Sequence, residues 1–506
     1  VQRLPIFFFT LILAAILLAA LFGAATLATA NPAIAPLPEH HPAGTFTVEP
    51  FVPTITFPAD ITFAPNGLLY VAERFVGAAT PITGAIRVVS PDGALQSQPF
   101  AVVTLDDSTP FAEKGLLGLV LDPNYAANGF VYAYYTAPPD NNNAINHGEL
   151  VRYTAIFSAG NWIGTQKTVL VDDLPVSTSC CHNGGKIGFG PDGLLYLSIG
   201  DNSNSGNGQD LSTAAATILR FNPDGSIPAG NPFTQTMNAH PAIYAYGLRN
   251  SFGFDWHPLT GAMFATENGP NCNDELNHII SGGNYGWAAV SCDPHGDPYI
   301  APIWVVDPPE GLTGAAFYTP PAALEPYLYV TNWNNGDIYQ IGLDDDNLVT
   351  EVAKVVENCG QPAGTDFNGL SLAVSPAGEL YLACQQEFFP APSDTGAIFR
   401  IVYTGDIPPT AAFTASPPSP VAGREVQFTN LSQGTDLTFT WDFGDGTTVS
   451  NATHPVHTYT APGIYTVTLT ATNSLGSDTA LLPLPVTTPN YLPAILRGSG
   501  SQPDND

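Results

Sequence analysis

Positive charge is scarce in this chain: Lys and Arg number 13 against 44 Asp and Glu, a formal net charge of −31 over 506 residues. That balance argues against nucleic acid or an anionic membrane as partner, because both need cationic side chains to neutralise phosphates. Methionine occurs only twice and charged residues make up 11% of the chain, so good helix formers are few. The glycines between Gly184 and Gly190 do not form a dinucleotide-binding loop, and no helix-forming segment follows them. A Gly-x-Ser-x-Gly elbow and a His-Glu-x-x-His helix are also missing. A redox activity would therefore need a cofactor held by something other than a Rossmann unit.

What the chain has in quantity is glycine and proline, 48 of each, with 44% apolar residues. This suits many short strands joined by tight turns, with enough apolar material for two or three packed domains. After Arg3 an apolar run extends from Leu4 to Leu27 and closes on Ala28-Thr29-Ala30. It has the form of an export signal with cleavage before Asn31, an uncleaved membrane anchor being the alternative, and points to an extracellular or cell-envelope location. The six cysteines, 180, 181, 272, 292, 359 and 384, fit no zinc spacing and in an oxidising compartment are expected as disulfides. Spacing leaves their connectivity open. The pattern expected is Cys272 with Cys292 and Cys359 with Cys384, leaving adjacent Cys180 and Cys181 as a vicinal ring.

One pattern recurs six times in the first 400 residues: alternating apolar residues, a turn containing proline, then a short apolar strand. The copies begin at Ile61, Leu117, Ile187, Phe252, Ala315 and Leu370, and their turn prolines are spaced by 56 to 68 residues. Most are followed by another strand-like stretch, such as GAIRVVSPDG or GAIFRIVY. A hairpin with further strands at this period predicts an all-β, six-bladed propeller. Loops at one mouth of such a ring, here 137 to 147, 172 to 186, 201 to 216 and 267 to 285, are where ligands are expected.

Beyond the proline-rich joint DIPPTAAFTASPPSP the texture changes to alternating strands with Asp-Gly and Pro-Gly turns. WDFGDG at Trp441–Gly446 and HTYTAPGIYTVTLT at His457–Thr470 resemble the two signature stretches of the PKD domain. That resemblance implies an immunoglobulin-like β-sandwich around a buried Trp441, acting as a spacer or in adhesion to polysaccharide or the cell surface. The expected division is an export signal over 1–30, a linker over 31–44, the propeller over 45–404, the PKD domain over 405–487 and a flexible tail over 488–506. The tail stretch YLPAILR has no role in this reading.

Four stretches, EKGLLGLVLDP from Glu113, CCHNGGKIGFGPDGLLYLSIGD from Cys180, YGLRNSFGFDWHP, and ENGPNCNDELNHIISGGNYGW from Glu267, resemble the glucose/sorbosone dehydrogenase family. Its best-known members use pyrroloquinoline quinone (PQQ) on a six-bladed propeller. The resemblance implies a sugar substrate, an external electron acceptor, and PQQ with Ca2+ as cofactors. It makes His182 the general base and gives Arg249 the polarising cation, with Glu113, Asn250, Asn268 and Asn334 about the cofactor. The carbonyls of Gly269 and Pro270 would hold the cofactor's calcium, and Glu275 with the Tyr285 carbonyl a structural one, Asp274 adding a carboxylate. Alternatively, the segment NDELN merely starts a strand. Three departures stand out: Glu113 replaces a glutamine, Cys181 replaces an aspartate, and Asn334, with Asn368 and Leu370, stands where basic residues would clamp the PQQ carboxylates. A tricarboxylate without cationic partners binds poorly. The competing functions are a non-catalytic extracellular propeller that binds carbohydrate or protein, and a calcium-dependent lactonase, which the motif order does not suggest.

Overall fold

The computed structural model describes residues 46–488 except 77–80, 107–112, 293–295, 297, 322, 324, 363–366 and 387–394. The expected export signal, the linker and YLPAILR lie outside the described residues. Among those described, no helix is long and apolar enough to cross a membrane.

Six four-stranded sheets form a ring of blades, and their innermost strands are Pro58–Phe63, Leu116–Leu121, Ile187–Phe189, Ser251–Trp256, Leu312–Tyr318 and Phe367–Val374. Each sequence repeat is the hairpin of a blade's first two strands. Its turn recurs in detail. Gly67, Gly193 and Gly378 sit at φ of +84°, +73° and +76°, and the strand-closing bonds Ala64 N to Leu68 O, Gly190 N to Leu194 O and Ser375 N to Glu379 O are 2.8 to 2.9 Å. Only glycine adopts that backbone without strain, which is why Pro-x-Gly marks three of the six turns.

The ring closes on a strand that the repeat did not reveal. Phe46–Thr56 is the outermost strand of the sixth blade, antiparallel to Thr395–Tyr403 with Phe46 opposite Tyr403 and Val48 opposite Ile401. Opening the ring would therefore require unzipping a sheet. Near the axis the inner strands approach closely: a Cβ on Gly118 would collide with the Gly185 carbonyl, and one on Gly253 with the Thr313 carbonyl. Buried Asp60 binds across four blades, taking Lys186 Nζ at 2.7 Å, Ser371 Oγ at 2.7 Å and the Leu119 N–H at 2.9 Å.

In a four-stranded antiparallel blade, the connection from second to third strand and the one leading to the next blade emerge at the same end. The loops after Ala137, Leu174, Ile199 and Glu267 therefore share one mouth. One expectation needs correction. The stretch from 267 to 285 is not one polar loop, because Asp274–Ile279 is the third strand of the fourth blade. The chain then climbs back toward the mouth beside the outermost strand of the third blade, with Tyr285 N bonded to Tyr246 O at 2.9 Å.

The C-terminal unit is a sandwich of a three-stranded and a four-stranded sheet. Trp441 is fully buried between them against Phe413 and Phe428, its indole N–H bonded to Ala452 O at 2.8 Å.

Candidate active site

The loop entering the third blade carries the vicinal disulfide Cys180–Cys181 and, directly after it, His182 at φ +63°. Gly200 makes this possible, since a Cβ there would strike the His182 carbonyl. His182 Nδ1 lies 2.7 Å from Asp201 Oδ1. A carboxylate can only accept, so Nδ1 carries a proton, and in the neutral ring Nε2 presents a lone pair. Asp201 also accepts the Ser203 N–H at 2.8 Å and the Trp287 indole N–H at 2.9 Å. Burial pushes its pKa up, but the hydrogen bonds and charge of its partners outweigh that and hold the carboxylate below the ordinary aspartate value.

Glu113 joins this loop to the next motif: its Oε2 accepts the His182 N–H at 2.7 Å and Asn250 Nδ2 at 3.1 Å. Arg249 extends its guanidinium to the Asn268 carbonyl at 2.9 Å and over the Trp287 ring at 5.6 Å. Beneath the pair, Glu267 takes the backbone N–H groups of Arg249 and Asn250 on Oε1 and Ser251 Oγ on Oε2. It fixes the backbone from which both side chains project.

A cavity of about 340 Å³, open to solvent, brings together Arg249, Asn268, Gly269, Pro270, Glu275 and Tyr285, and Glu267 and Trp287 also line it. Glu267 and Glu275 face each other across adjacent strands. Burial raises the pKa of Glu267 to about 8 and of Glu275 to about 7. Asn277, two residues along the same strand face, has a buried Oδ1 without a hydrogen bond. Two desolvated carboxyls and a spare amide oxygen are a donor set that suits a hard divalent cation, so the residues fit calcium. Asp274 is engaged differently: its carboxylate accepts the N–H groups of Gly269, Glu310, Gly311 and Leu312 and pins the loop to the fifth blade.

A PQQ molecule at the mouth would meet a different environment on its two sides. Arg249 and Asn250 stand on one side. On the other, Asn334 lines neither of the two main cavities and bonds to the backbone of Glu310 and Pro309, while Asn368 is buried in the innermost strand of the sixth blade. The second cavity, about 520 Å³ along the ring axis, is lined by Glu113, Arg74 and Lys186, and Lys186 is already paired with Asp60. The residues thus fit a quinone that would be anchored through Arg249, Asn250 and a calcium ion, with no cationic clamp among the described residues lining the two cavities on the Asn334 side.

Sequence reasoning gave no role to Asp201, Glu267 or Trp287. Asp201 directly follows the glycine that ends a repeat strand, so a carboxylate at the mouth end of a second strand was the available signal. Trp287 reaches the mouth only through the climbing segment, which no repeat announces.

Residues 55–363 match the family model for glucose/sorbosone dehydrogenase, and residues 410–486 match that for the PKD domain. Quinoprotein glucose dehydrogenase B of Acinetobacter calcoaceticus is 30% identical over 250 residues, covering 45% of this chain and 50% of that protein. Hedgehog-interacting protein of Mus musculus is 28% identical over 228 residues, covering 40% and 32%. Among solved structures, the PQQ-bound aldose sugar dehydrogenase of Streptomyces coelicolor aligns with a TM-score of 0.56 and 25% identity, over 71% of this chain and all of that one. The matched stretch is about half the length of the first of these relatives. Because the family model takes in more than half of the sequence, this chain belongs to the glucose/sorbosone dehydrogenase family, with a PKD domain following the propeller.

Proposed function

We propose that the chain is an exported sugar dehydrogenase of the quinoprotein type, in which His182 takes the proton of a sugar hydroxyl. The observation that carries this reading is the 2.7 Å bond from His182 Nδ1 to Asp201, which leaves Nε2 as a base at the mouth. The sugar CH–OH becomes a carbonyl: the hydroxyl proton passes to Nε2 and the hydrogen on carbon departs as hydride. PQQ, when bound, supplies the two-electron acceptor for that hydride. Asp201 stabilises the imidazolium that forms. Arg249, held by the Asn268 carbonyl and Trp287, sets a fixed positive charge where negative charge accumulates, and Asn250 adds an amide donor. The carbonyls of Gly269 and Pro270 would hold the cofactor's calcium, and Glu275 with the Tyr285 carbonyl a structural one. The PKD domain would space the propeller from, or attach it to, a polysaccharide or cell surface.

A second reading, a non-catalytic propeller that binds carbohydrate or protein, is motivated by Asn334 at the clamp position, and a protein named as Hedgehog-interacting is among the relatives. One assay separates them. Mature protein reconstituted with PQQ and calcium should reduce an artificial dye in the presence of an aldose, and His182→Ala should abolish turnover while keeping the parent melting curve. Sugar binding without turnover by the reconstituted parent would establish the binder and reject the dehydrogenase.

A further inference from the structure

The second blade carries a cluster that the sugar site does not use. His147 and Glu149 begin its third strand, opposite Ala137 and Tyr135 of the second strand, and as residues two apart they share one face. Asp140 lies on the mouth loop between those strands, and one ligand atom from each of the three lies within 4.8 Å of the others.

His147 is 3% exposed. Its Nδ1 sits 3.1 Å from the Ile145 carbonyl, which can only accept, so Nδ1 carries a proton, and in the neutral ring Nε2 carries a lone pair. That Nε2 is buried without any hydrogen bond and faces Glu149 Oε1 at 3.6 Å. The other carboxylate oxygen is occupied, Oε2 accepting from Tyr135 and from Lys167 Nζ. Asp140 uses Oδ1 to accept the N–H groups of Asn142 and Asn143 at 2.8 and 2.7 Å, which holds its carboxylate below the ordinary range and leaves Oδ2 for a ligand. Two desolvated acceptors pointed at one another repel unless something positive lies between them.

The spacing fits an ion there. Ligand atoms about 2.1 Å from a tetrahedral zinc ion stand about 3.4 Å apart, close to the 3.6 Å between Nε2 and Oε1. Asp140 rides on an exposed turn and can close the remaining gap. An imidazole nitrogen with two carboxylates selects a first-row transition ion over calcium or magnesium. We propose that Asp140, His147 and Glu149 form a zinc-type site, with water completing the shell, that clips the mouth loop of the second blade to its third strand. Asn143 Nδ2 to Asp172 O at 2.6 Å and Asn146 Nδ2 to Asp106 Oδ1 at 2.7 Å hold the rest of that loop, so the ion would fix its tip.

The test is titration of the full metal-stripped chain with ZnCl2 in millimolar calcium, which fills a calcium site but competes poorly for imidazole. One zinc per chain is expected to bind. Co2+ in its place should give the visible absorption of a low-symmetry nitrogen–oxygen site. His147→Ala and Asp140→Asn should each weaken zinc binding at least tenfold, while Glu275→Gln should not. Should His147→Ala fail to fold, Asp140→Asn, an exposed and isosteric change, decides alone. Absence of zinc binding overturns the proposal. So does zinc binding that Asp140→Asn leaves unchanged, which would put the ion on other histidines, and so does loss of binding in Glu275→Gln.

Discussion

Removing calcium at two pH values tests the acidic cavity with a readout that does not depend on enzyme activity. Glu267 and Glu275 give up their protons near pH 8 and 7 rather than the ordinary 4.5, so ionising each costs on the order of 3 to 5 kcal/mol at about 1.36 kcal/mol per unit. Both folded-state values are raised, so the folded chain binds more protons than the unfolded one between pH 4.5 and 8. Their contribution to stability is then complete below pH 4.5 and is lost as pH rises through 7 and 8. A bound calcium ion would replace the protons. At a hundred times its Kd an ion adds about 2.7 kcal/mol, which for a domain of this size raises Tm by about 4 °C. Scanning calorimetry in EDTA and in millimolar calcium should show a wide gap at pH 8 and a narrow one at pH 5, where the carboxyls keep their protons without the ion. Glu275→Gln should lose the gap, and in EDTA at pH 8 it should melt above the parent, since a neutral amide avoids the ionisation cost. Coincident melts with and without calcium at pH 8, or a Glu275→Gln variant that keeps the parent's gap, would refute the cavity as a calcium site.

Asp201→Asn leaves one acceptor oxygen for three donors, the His182 Nδ1–H, the Ser203 N–H and the Trp287 indole. If the amide NH2 turns toward His182 it selects the tautomer whose Nε2 cannot accept a proton, and a loss of about 10³- to 10⁴-fold in kcat is expected from dye-reduction kinetics. Activity within tenfold of the parent would remove Asp201 from the mechanism. Asn334→Lys should restore a cation near the mouth and tighten PQQ binding about tenfold at low salt, the size of one partly exposed charge-assisted hydrogen bond, as measured by fluorescence titration. Unchanged affinity would show that the cofactor does not reach the fifth blade. Asp60→Asn strips the partner from Lys186 and weakens the tie between blades, and should cost about 3 kcal/mol or more in urea unfolding. A cost under 1 kcal/mol would show that the axial pair is not structural.

How much of this was legible in the sequence follows from which contacts are local. The six hairpins were readable because strand, proline-containing turn and strand lie within about twenty residues, and in three of them the turn chemistry is fixed by one positive φ, at Gly67, Gly193 and Gly378. The outermost strands were not. Phe46–Thr56 alternates only weakly between buried and exposed positions, and its partner Thr395–Tyr403 lies some 350 residues away, so nothing in either segment announces the closure of the ring. The site divides in the same way. His182, Arg249 and Asn250 stand in glycine-rich or strand-edge motifs that survive as short strings, and they could be named from a family resemblance. Asp201, Glu267 and Trp287 act on them through space: an aspartate just past a strand end, a glutamate inside a strand, and a tryptophan delivered by a segment that crosses the height of the ring. Glu267 shows the limit most clearly. In sequence it is the last residue of an apolar strand and would be assigned to solvent, because charge at a strand end usually is. Only the register, which sets it opposite Glu275 and under the backbone of Arg249 and Asn250, turns it into the support of that Arg–Asn pair and one wall of the proposed calcium cavity. A residue whose role is to hold other functional groups is thus identified by pairing partners rather than by neighbours in the chain, and pairing is the information that a single sequence withholds.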